Sequence, residues 1–539
     1  MASSGAATSP WGLIICQYRL FFFFLVDAML KALTAVKQRP GRFYRSVLAG
    51  VLTSSLVSQC VWNKPTHAQV MVPCQLPANL IQQKENLRLA ALKGDREAQN
   101  RYQALITKQA TQLQECRSQN WPRNQAIWLR LYPCDIRPGS VGMLLDRLVN
   151  KGYNEVYVEV FYDSLVLLPQ ADNPTSWGSV IQVPGAEKVD LLAEIIEKGH
   201  KRGLKVYAWV FTINFGYAYA TRPDRQGVLA RNGRGQTSLD VTNDAGIDTD
   251  LTKGDASKAF VDPYSPQARQ DYERLIEAVI KRKPDGVLFD YVRYPRGTGD
   301  ASVVTKVQDL WIYGESAQQV FLQRAINRKG LDLMRRFLTK GFVSAQDVAQ
   351  VDEIYPEEEE PLWQGRNPDQ TKSVLPPGQR QPFLQWDLWQ LSVAHAAQGI
   401  VDFLTAAMQP AQRVGIPTGA VFFPGGNQAV GQGGYDSRVQ PWDKFPRMME
   451  WHPMLYANCN DTSCILNELQ RVVSLAPLGT DIRPALAGDW GRAVSNRPSL
   501  EVQMQAIRQY APQIQTVSHF AYSWQDPESD RERKFCKLR

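Results

Sequence analysis

Histidine is scarce in this chain, and several common catalytic motifs are missing. The 539 residues include five histidines, no His-Glu-x-x-His motif and no Cys-x-x-Cys pair, which argues against a zinc site. No Gly-x-Ser-x-Gly sequence occurs either, so the nucleophile elbow of an α/β-hydrolase is excluded. The sequence therefore predicts neither a metal nor a cofactor.

Most of the excess positive charge lies at the N-terminus. The net charge is +8, but residues 1–68 hold seven basic side chains against one acidic, which is +6. The rest of the chain carries 54 basic and 52 acidic residues, a net charge of only +2. A nearly neutral body lacks the basic surface of a nucleic-acid-binding protein, so no nucleic acid is expected as a partner.

The basic head has the pattern of an export signal. Residues 31–45 form a positive region, residues 46–62 an apolar run, and Thr66-His67-Ala68 a small-x-small cleavage site. The run is shorter than the span of about 20 residues that crosses a bilayer, so no stable membrane span is expected after cleavage. We expect residues 1–68 to be removed, translation to start at Met29, and the protein to reach the periplasm, cell envelope or extracellular space.

Alternating strand and helix patterns fill residues 123–530. Apolar strands without polar alternation are typical of parallel sheets covered by helices, and eight of them indicate an α/β fold, a (β/α)8 barrel. An open doubly wound sheet is the alternative. The predicted strands are 126–131, 155–161, 205–211, 284–290, 419–423, 450–456, 482–486 and 517–523.

Three other segments surround or interrupt the predicted barrel. Residues 69–122 form a helical prefix of two short helices that break at Gly94-Asp95. A long insertion, residues 297–385, follows strand four and holds one predicted helix over 318–340. Long loops at the carboxyl ends of barrel strands usually bind or cover substrate. The C-terminal tail is predicted as residues 531–539.

Six cysteines remain after the export signal, and an even number in an exported chain predicts disulfides. Six allow 15 pairings, and free buried thiols are the alternative. Cys74 and Cys116 bracket the helical prefix. Cys134 follows strand one and Cys536 follows strand eight, which are neighbours in a closed barrel, so these two are expected to pair. Cys459 and Cys464 are close enough in sequence to close a small ring.

The fourth strand leads into the most informative stretch, Pro284 to Pro295, with Asp290 at its end. The loops at the carboxyl ends of barrel strands build the active site, although an Asp there can also merely accept backbone N–H groups in a turn. Glycoside hydrolysis needs two carboxyl groups, and Glu159 near the carboxyl end of strand two and Asp489 after strand seven are the candidates for the second. Glu450 begins strand six, so it is expected to face the opposite end of the barrel.

Aromatic and arginine side chains gather at the same predicted strand ends. Flat aromatic rings stack on the C–H faces of sugars, whereas core packing is the ordinary alternative. Each arginine either binds sugar hydroxyls or a carboxylate, or forms a structural ion pair with Asp290. The candidate substrate-binding residues are Arg130, Tyr132, Trp209, Tyr291, Arg293, Tyr294, Tyr456, Trp490 and Trp524.

Four motifs together resemble the glycosyl-hydrolase-like family 10, which is distinct from the xylanases of glycoside hydrolase family 10. They are the Asp262-Pro263 helix entry, the stretch from Asp285 to Pro295, Pro453-Met454-Leu455-Tyr456, and Phe520-Ala521-Tyr522-Ser523-Trp524. The resemblance implies a TIM barrel that acts on glycans, such as envelope polysaccharide or peptidoglycan strands. Many members carry two adjacent Asp residues on the fourth strand, whereas here Tyr291 follows Asp290.

The resulting prediction is an exported glycoside hydrolase in which Asp290 is the nucleophile or base and Glu159 or Asp489 is the acid. A non-catalytic glycan-binding barrel of the cell envelope is one alternative. A structural or interaction protein that uses the insertion as its contact surface is another.

Overall fold

The computed structural model describes residues 74–162, 164–242, 258–368 and 375–538. These residues belong to one compact unit, Val72–Arg539. The predicted export signal, the predicted start at Met29 and Asp163 lie outside the described residues. Helices of at least eight residues are numbered α1–α12 below, and the barrel strands are numbered β1–β8.

The prefix is a pair of helices, α1 (Ala78–Leu92) and α2 (Arg96–Gln119). The helices break where the sequence predicts, because the Asp95 side chain caps α2 by accepting the Ala98 N–H at 3.0 Å. The buried Arg117 of α2 donates to the Gly152 carbonyl and to Gln125. The prefix is therefore joined to the barrel by buried hydrogen bonds.

Among the described residues, eight parallel strands close into a barrel. Neighbours pair in chain order from β1 to β8, and β1 also pairs with β8, so the barrel is confirmed and the open sheet is excluded. The strands are β1 (Asn124–Leu129), β2 (Glu155–Tyr162), β3 (Lys205–Phe211), β4 (Gly286–Asp290), β5 (Thr418–Phe422), β6 (Glu450–Leu455), β7 (Ala485–Ala487) and β8 (Thr516–Phe520).

Helices connect most strands and cover the outside of the barrel. Between β5 and β6 the chain instead forms a loop with a 3₁₀ turn at Trp442–Lys444. The remaining helices are α3 (Ser140–Asn150), α4 (Leu191–His200), α5 (Pro266–Ile280), α6 (Glu315–Leu322), α7 (Arg328–Lys340), α8 (Ala345–Ile354), α9 (Pro377–Arg413), α10 (Ser463–Leu475), α11 (Leu500–Tyr510) and α12 (Pro527–Lys534).

Several short helices and strands lie in the loops that connect the main elements. Two small helices, Tyr217–Ala220 and Ser238–Thr242, follow β3, and Tyr522–Gln525 follows β8. Two-residue strands at Leu165–Val166 and Gly178–Ser179 extend the sheet beside β2. A separate antiparallel sheet joins the insertion to the loop after β5 through Val303–Val304, Ala429–Val430 and Gly434–Asp436.

The insertion after β4 is more helical than the sequence indicates. The predicted helix over 318–340 is divided into α6 and α7, because the Asn327 side chain caps α7 by accepting the Gly330 N–H. Helix α8 follows, and α9 begins at Pro377, inside the segment assigned to the insertion. Proline is tolerated at the first position of a helix, where no intrahelical N–H is needed.

Helix α9 is, among the described residues, the one helix long and apolar enough to cross a membrane. Most of its apolar stretch is buried inside the protein, which is the environment of a core helix.

Asp262 anchors the insertion to the barrel. Its buried carboxylate accepts the Ala317 N–H of α6 at 2.8 Å and the Tyr264 N–H at 2.9 Å. Burial raises the pKa of Asp262 to about 6. The Asp262-Pro263 motif therefore positions the insertion as well as the start of α5.

Three disulfides join Cys74 to Cys116, Cys134 to Cys536 and Cys459 to Cys464, with Cα–Cα distances of 5.6, 6.0 and 6.0 Å. These are the pairings that the sequence predicts. Helix α12 continues across the predicted boundary between barrel and tail at residue 530. Its Arg533 binds Asp135 at 2.7 Å and the Arg130 carbonyl at 2.7 Å, so the C-terminus packs against the loop after β1.

Candidate active site

Asp290 lies at the carboxyl end of β4 on the inner side of the barrel. Alternate residues of a strand share one face, and Leu288, two residues earlier, approaches the β5 backbone at Gly419 together with His452 of β6. The indole Nε1–H of Trp209 on β3 donates to Asp290 Oδ2 at 3.0 Å. The strand thus delivers this carboxylate to the end of the barrel where active sites form.

The turn after β4 holds the second oxygen of Asp290. The Tyr291 N–H donates to Asp290 Oδ1 at 2.6 Å, and the Asp290 carbonyl accepts the Thr212 N–H at 2.7 Å. Tyr291 adopts φ +52°, a left-handed conformation that non-glycine residues rarely take. Such conformations concentrate at functional sites, and here the conformation places the Tyr291 ring 4.3 Å from that of Phe211.

Glu159 lies three residues before the end of β2 and is paired with an arginine. Its buried carboxylate accepts hydrogen bonds from Arg130 Nε and from Nη2, the latter at 3.0 Å. The Arg130 guanidinium also lies 4.2 Å above the ring of Tyr162. Glu159 pairs with Trp209 and Asp290 pairs with Phe211, so one strand separates the two carboxylates, an interval of about 10 Å along the sheet.

Asp489 has a different environment. It binds the exposed Arg492 through two hydrogen bonds of 2.9 and 2.6 Å, and its carbonyl accepts the Leu500 N–H at the start of α11. Three strand intervals separate β7 from β4. Strand β3 lies between the strands that carry Asp290 and Glu159, whereas Asp489 belongs to the loop that leads into α11.

Aromatic rings connect the two halves of the strand-end region. The Trp209 ring lies 4.9 Å from Trp128 and 6.3 Å from Phe520, while Phe520 lies 5.8 Å from Tyr456 and 6.1 Å from Trp524. Phe520, Tyr456 and Trp524 are only partly buried. We call these five rings, together with Asp290, the strand-end cluster. It joins three predicted binding residues to the predicted catalytic aspartate.

A second group of stacked cations and rings flanks Tyr291. The Arg293 guanidinium lies 4.8 Å from the ring centre of Tyr291 and 5.4 Å from that of Phe423. Arg438 lies 4.6 Å from Phe423. Neither Phe423 nor Arg438 is among the binding residues predicted from the sequence. Phe423 directly follows β5, so the strand-end criterion that selected the other aromatics could have found it.

Phe520 was missed for a related reason. Strand eight is predicted to run to residue 523, which places Phe520 in its interior, whereas β8 ends at Phe520. A difference of three residues at a strand end decides whether a side chain belongs to the barrel core or to the cluster.

Three predicted binding residues contact other parts of the protein. The Tyr132 hydroxyl donates to Asp530 of α12 at 3.1 Å. Tyr294 is fully buried. The Trp490 indole N–H donates to the Tyr153 hydroxyl at 3.2 Å, and its ring packs on His519 in the layer between barrel and helices. These side chains do not join the strand-end cluster.

Within the described residues, no group of three His, Cys, Asp or Glu side chains is arranged as a metal site. The side chains at the carboxyl ends of the strands are carboxylates, guanidinium groups and aromatic rings. In a TIM barrel this is the end at which active sites are built.

Residues 137–315 match the family described as Glycosyl hydrolase-like 10, which confirms the resemblance seen in the sequence. The matched segment includes Glu159, Trp209 and Asp290. The curated relatives are Glycosyl hydrolase DigH of Escherichia coli (strain K12) and of Shigella flexneri, each 29% identical over 161 residues. The match covers 29% of this chain, and the chain spans about a third, 34%, of the length of these relatives.

Solved structures with a similar fold include the GH20 exo β-N-acetylglucosaminidase of Vibrio harveyi, with 11% identity and a TM-score of 0.36 over 77% of this chain and 53% of that one. A GH18 chitinase of Pseudoalteromonas aurantia has 11% identity and a TM-score of 0.33 over 74% and 94% of the two chains.

Proposed function

We propose that this protein is an exported enzyme that hydrolyses glycosidic bonds in a polysaccharide or peptidoglycan glycan strand, with Asp290 as nucleophile or base. The observation that supports this most is the placement of Asp290 at the carboxyl end of β4, held by the Trp209 N–H within a cluster of aromatic rings. Sugar rings stack on such surfaces, and a carboxylate among them can act on the anomeric carbon or on water.

Glu159 is the better of the two candidates for the second carboxyl group. It lies on the inner surface of the barrel at the end of β2, whereas Asp489 is engaged by Arg492 outside the cluster. In hydrolysis one carboxyl group protonates the leaving oxygen while the other attacks carbon or removes a proton from water. For Glu159 to donate a proton, substrate binding must draw Arg130 away, and the Arg130 side chain, 35% exposed, has room to move.

Export of the protein is part of the proposal. The support is the signal-like pattern of residues 1–68 and the three disulfides, since disulfides persist in oxidising compartments outside the cytosol.

The test compares Asp290→Asn with wild type on purified cell-wall sacculi and on a panel of polysaccharides. Released fragments are measured by mass spectrometry. We expect Asp290→Asn to lower turnover about a thousandfold or more, because the amide can neither attack carbon nor accept a proton. Asp489→Asn is the matched control and is expected to retain most of the turnover. Unchanged activity in Asp290→Asn would refute the proposed role.

A non-catalytic glycan-binding barrel is the second candidate. Two observations favour it: the Glu159 carboxylate is occupied by Arg130, and Tyr291 stands beside Asp290 where many family members carry a second Asp. In that case wild type binds glycans and releases no fragments, and Asp290→Asn binds the same ligands.

A further inference from the structure

The peptide bond between Tyr456 and Ala457 is held by side chains on both of its polar groups. Arg497 Nη2 donates to the Tyr456 carbonyl at 2.9 Å, and Glu468 Oε2 accepts the Ala457 N–H at 3.1 Å. Arg497 lies in the connection between β7 and α11, and Glu468 lies on α10. Two separate elements therefore converge on a single peptide bond.

This peptide needs partners because the sheet no longer supplies them. Strand β6 ends at Leu455, so the polar groups of the next peptide lie beyond the sheet's hydrogen bonds. Partly buried backbone groups must find side chains or water instead. Side chains from structured elements fix the orientation of a peptide more firmly than exchanging water molecules do.

The orientation of this peptide bears directly on the strand-end cluster. The Tyr456 ring lies 5.8 Å from Phe520, and Phe520 lies 6.3 Å from Trp209, which donates to Asp290. A displacement of the chain at the Tyr456–Ala457 peptide would shift the Tyr456 Cα, and with it the ring, relative to Phe520 and change the shape of the surface beside Asp290.

We propose that Glu468 and Arg497 form a clamp that positions Tyr456 as one wall of the glycan-binding cleft. Both are positioning residues, since they act through the backbone of Tyr456 and Ala457. The proposal rests on the proposed function, because it assigns Tyr456 to the binding of a sugar ring.

The charges around Glu468 make the clamp sensitive to pH. Arg438 from the loop after β5 and Arg497 are the charged groups that act on it. Burial outweighs both cations and raises the pKa of Glu468 from 4.5 to about 7. The closed clamp holds a proton that an open, solvated carboxyl group would release, so closure is favoured at low pH and weakens as the pH rises from about 4.5 through about 7.

The first experiment measures the clamp without any substrate. Hydrogen exchange of the segment 454–460 is followed by mass spectrometry in wild type and in Glu468→Ala. We expect exchange in this segment to accelerate about fivefold or more, because the Ala457 N–H loses its acceptor. Glu187→Ala is the matched control, since Glu187 also accepts a backbone N–H, that of Gly185 at 2.9 Å, but lies on the exposed surface away from this segment. Unchanged protection in Glu468→Ala would overturn the clamp.

The second experiment measures glycan turnover by fragment release. Glu468→Ala is expected to raise KM about fivefold or more while kcat stays within about twofold. In wild type KM should rise between pH 5 and pH 7.5, because Glu468 loses its proton in this range. Glu468→Gln keeps an acceptor oxygen and cannot ionise, so its KM should lack this rise. A loss confined to kcat, or the same pH response in Glu468→Gln, would contradict a positioning role.

The two experiments separate the clamp from the function on which it depends. If wild type releases no fragments from any glycan, the proposed hydrolysis fails, yet the exchange measurement still decides whether Glu468 holds the peptide. If Glu468→Ala does not fold, hydrogen exchange of segment 454–460 is compared between Glu468→Gln and wild type at low and high pH. Only wild type should lose protection as the pH rises.

Discussion

Both ends of the barrel contain buried carboxylates, but the partners that bind these carboxylates differ between the two ends. At the amino end, Arg483 binds Glu450 at 2.9 Å and Glu155 at 3.4 Å, and the Tyr207 hydroxyl donates to Glu450 at 3.1 Å. At the carboxyl end, Asp290 is held by two neutral donors, the Trp209 indole and the Tyr291 backbone. At the amino end one arginine thus binds two carboxylates, whereas at the carboxyl end Glu159 has its own arginine, Arg130, and Asp290 accepts hydrogen bonds from an indole and a backbone N–H.

In the proposed function the carboxyl end of the barrel performs the chemistry. Burial raises the pKa of Glu155, and Arg483 opposes that rise, so the network at the amino end is a closed set of mutually compensating charges. A charge balanced in this way contributes to structure. In the proposed function Asp290 is the reacting group, and the hydrogen bonds from the Trp209 indole and the Tyr291 backbone N–H hold its carboxylate in place at the carboxyl end of β4.

The largest effect on stability is expected from breaking the ionic network at the amino end. Arg483→Met leaves Glu155 and Glu450 buried without their guanidinium partner, and such changes cost about 3–5 kcal/mol of unfolding free energy. Urea denaturation measures the loss. Asp290→Asn is the comparison at the other end and should lower the unfolding free energy by only about 1–3 kcal/mol, because the amide keeps one oxygen acceptor and leaves one of the two N–H donors without its partner. Equal losses in the two variants would remove the distinction between the ends.

Sequence patterns predict this barrel well because its parallel strands are apolar on both faces. The stretch ending at Asp290 is such a strand, and its place as fourth of eight correctly puts Asp290 at the carboxyl end. The same reasoning correctly places Glu450 at the opposite end, beside Arg483. Barrel closure also predicts the Cys134–Cys536 disulfide, since it makes the first and last strands neighbours.

The directions of individual side chains are less predictable. Trp490 follows β7 and was expected in the cleft, but its contacts with Tyr153 and His519 lie outside the barrel. Arg130 and Glu159 form an ion pair although they are far apart in the sequence. A local sequence pattern cannot predict a contact of this kind. The start of α9 was missed because the proline-rich composition of residues 361–382 indicates a loop, although Pro377 begins a helix here.

The next effect concerns pH and the carboxyl group that anchors the insertion. Burial raises the pKa of Asp262 from 3.8 to about 6, against the opposing effects of the Tyr264 and Ala317 N–H donors and of the Arg269 charge. The folded state therefore keeps a proton that the unfolded chain releases, so this contribution to stability is complete below about pH 3.8 and is lost as the pH rises through 6.

Asp262→Asn should remove that dependence. Relative to wild type, the variant's unfolding free energy is expected to rise by on the order of 2–3 kcal/mol between pH 4 and pH 7, measured by denaturation at each pH. Asp146 is a buried carboxylate that is paired with Arg202. Asp146→Asn is therefore the comparison variant for a buried carboxylate that has an arginine partner. A constant difference between variant and wild type at every pH would show that Asp262 does not titrate in this range.

The smallest effect separates the cleft from the layer outside the barrel. Trp524 lies 6.1 Å from Phe520 in the strand-end cluster, whereas Trp490 packs on His519 beneath the helices. If the cluster binds sugar rings, Trp524→Ala should weaken glycan affinity about tenfold in calorimetry. Trp490→Ala should leave affinity unchanged and lower the unfolding temperature instead, because it removes a ring from a packed layer. Equal losses of affinity would mean that the glycan also depends on the outer layer, and the cleft could no longer be assigned to the strand ends alone.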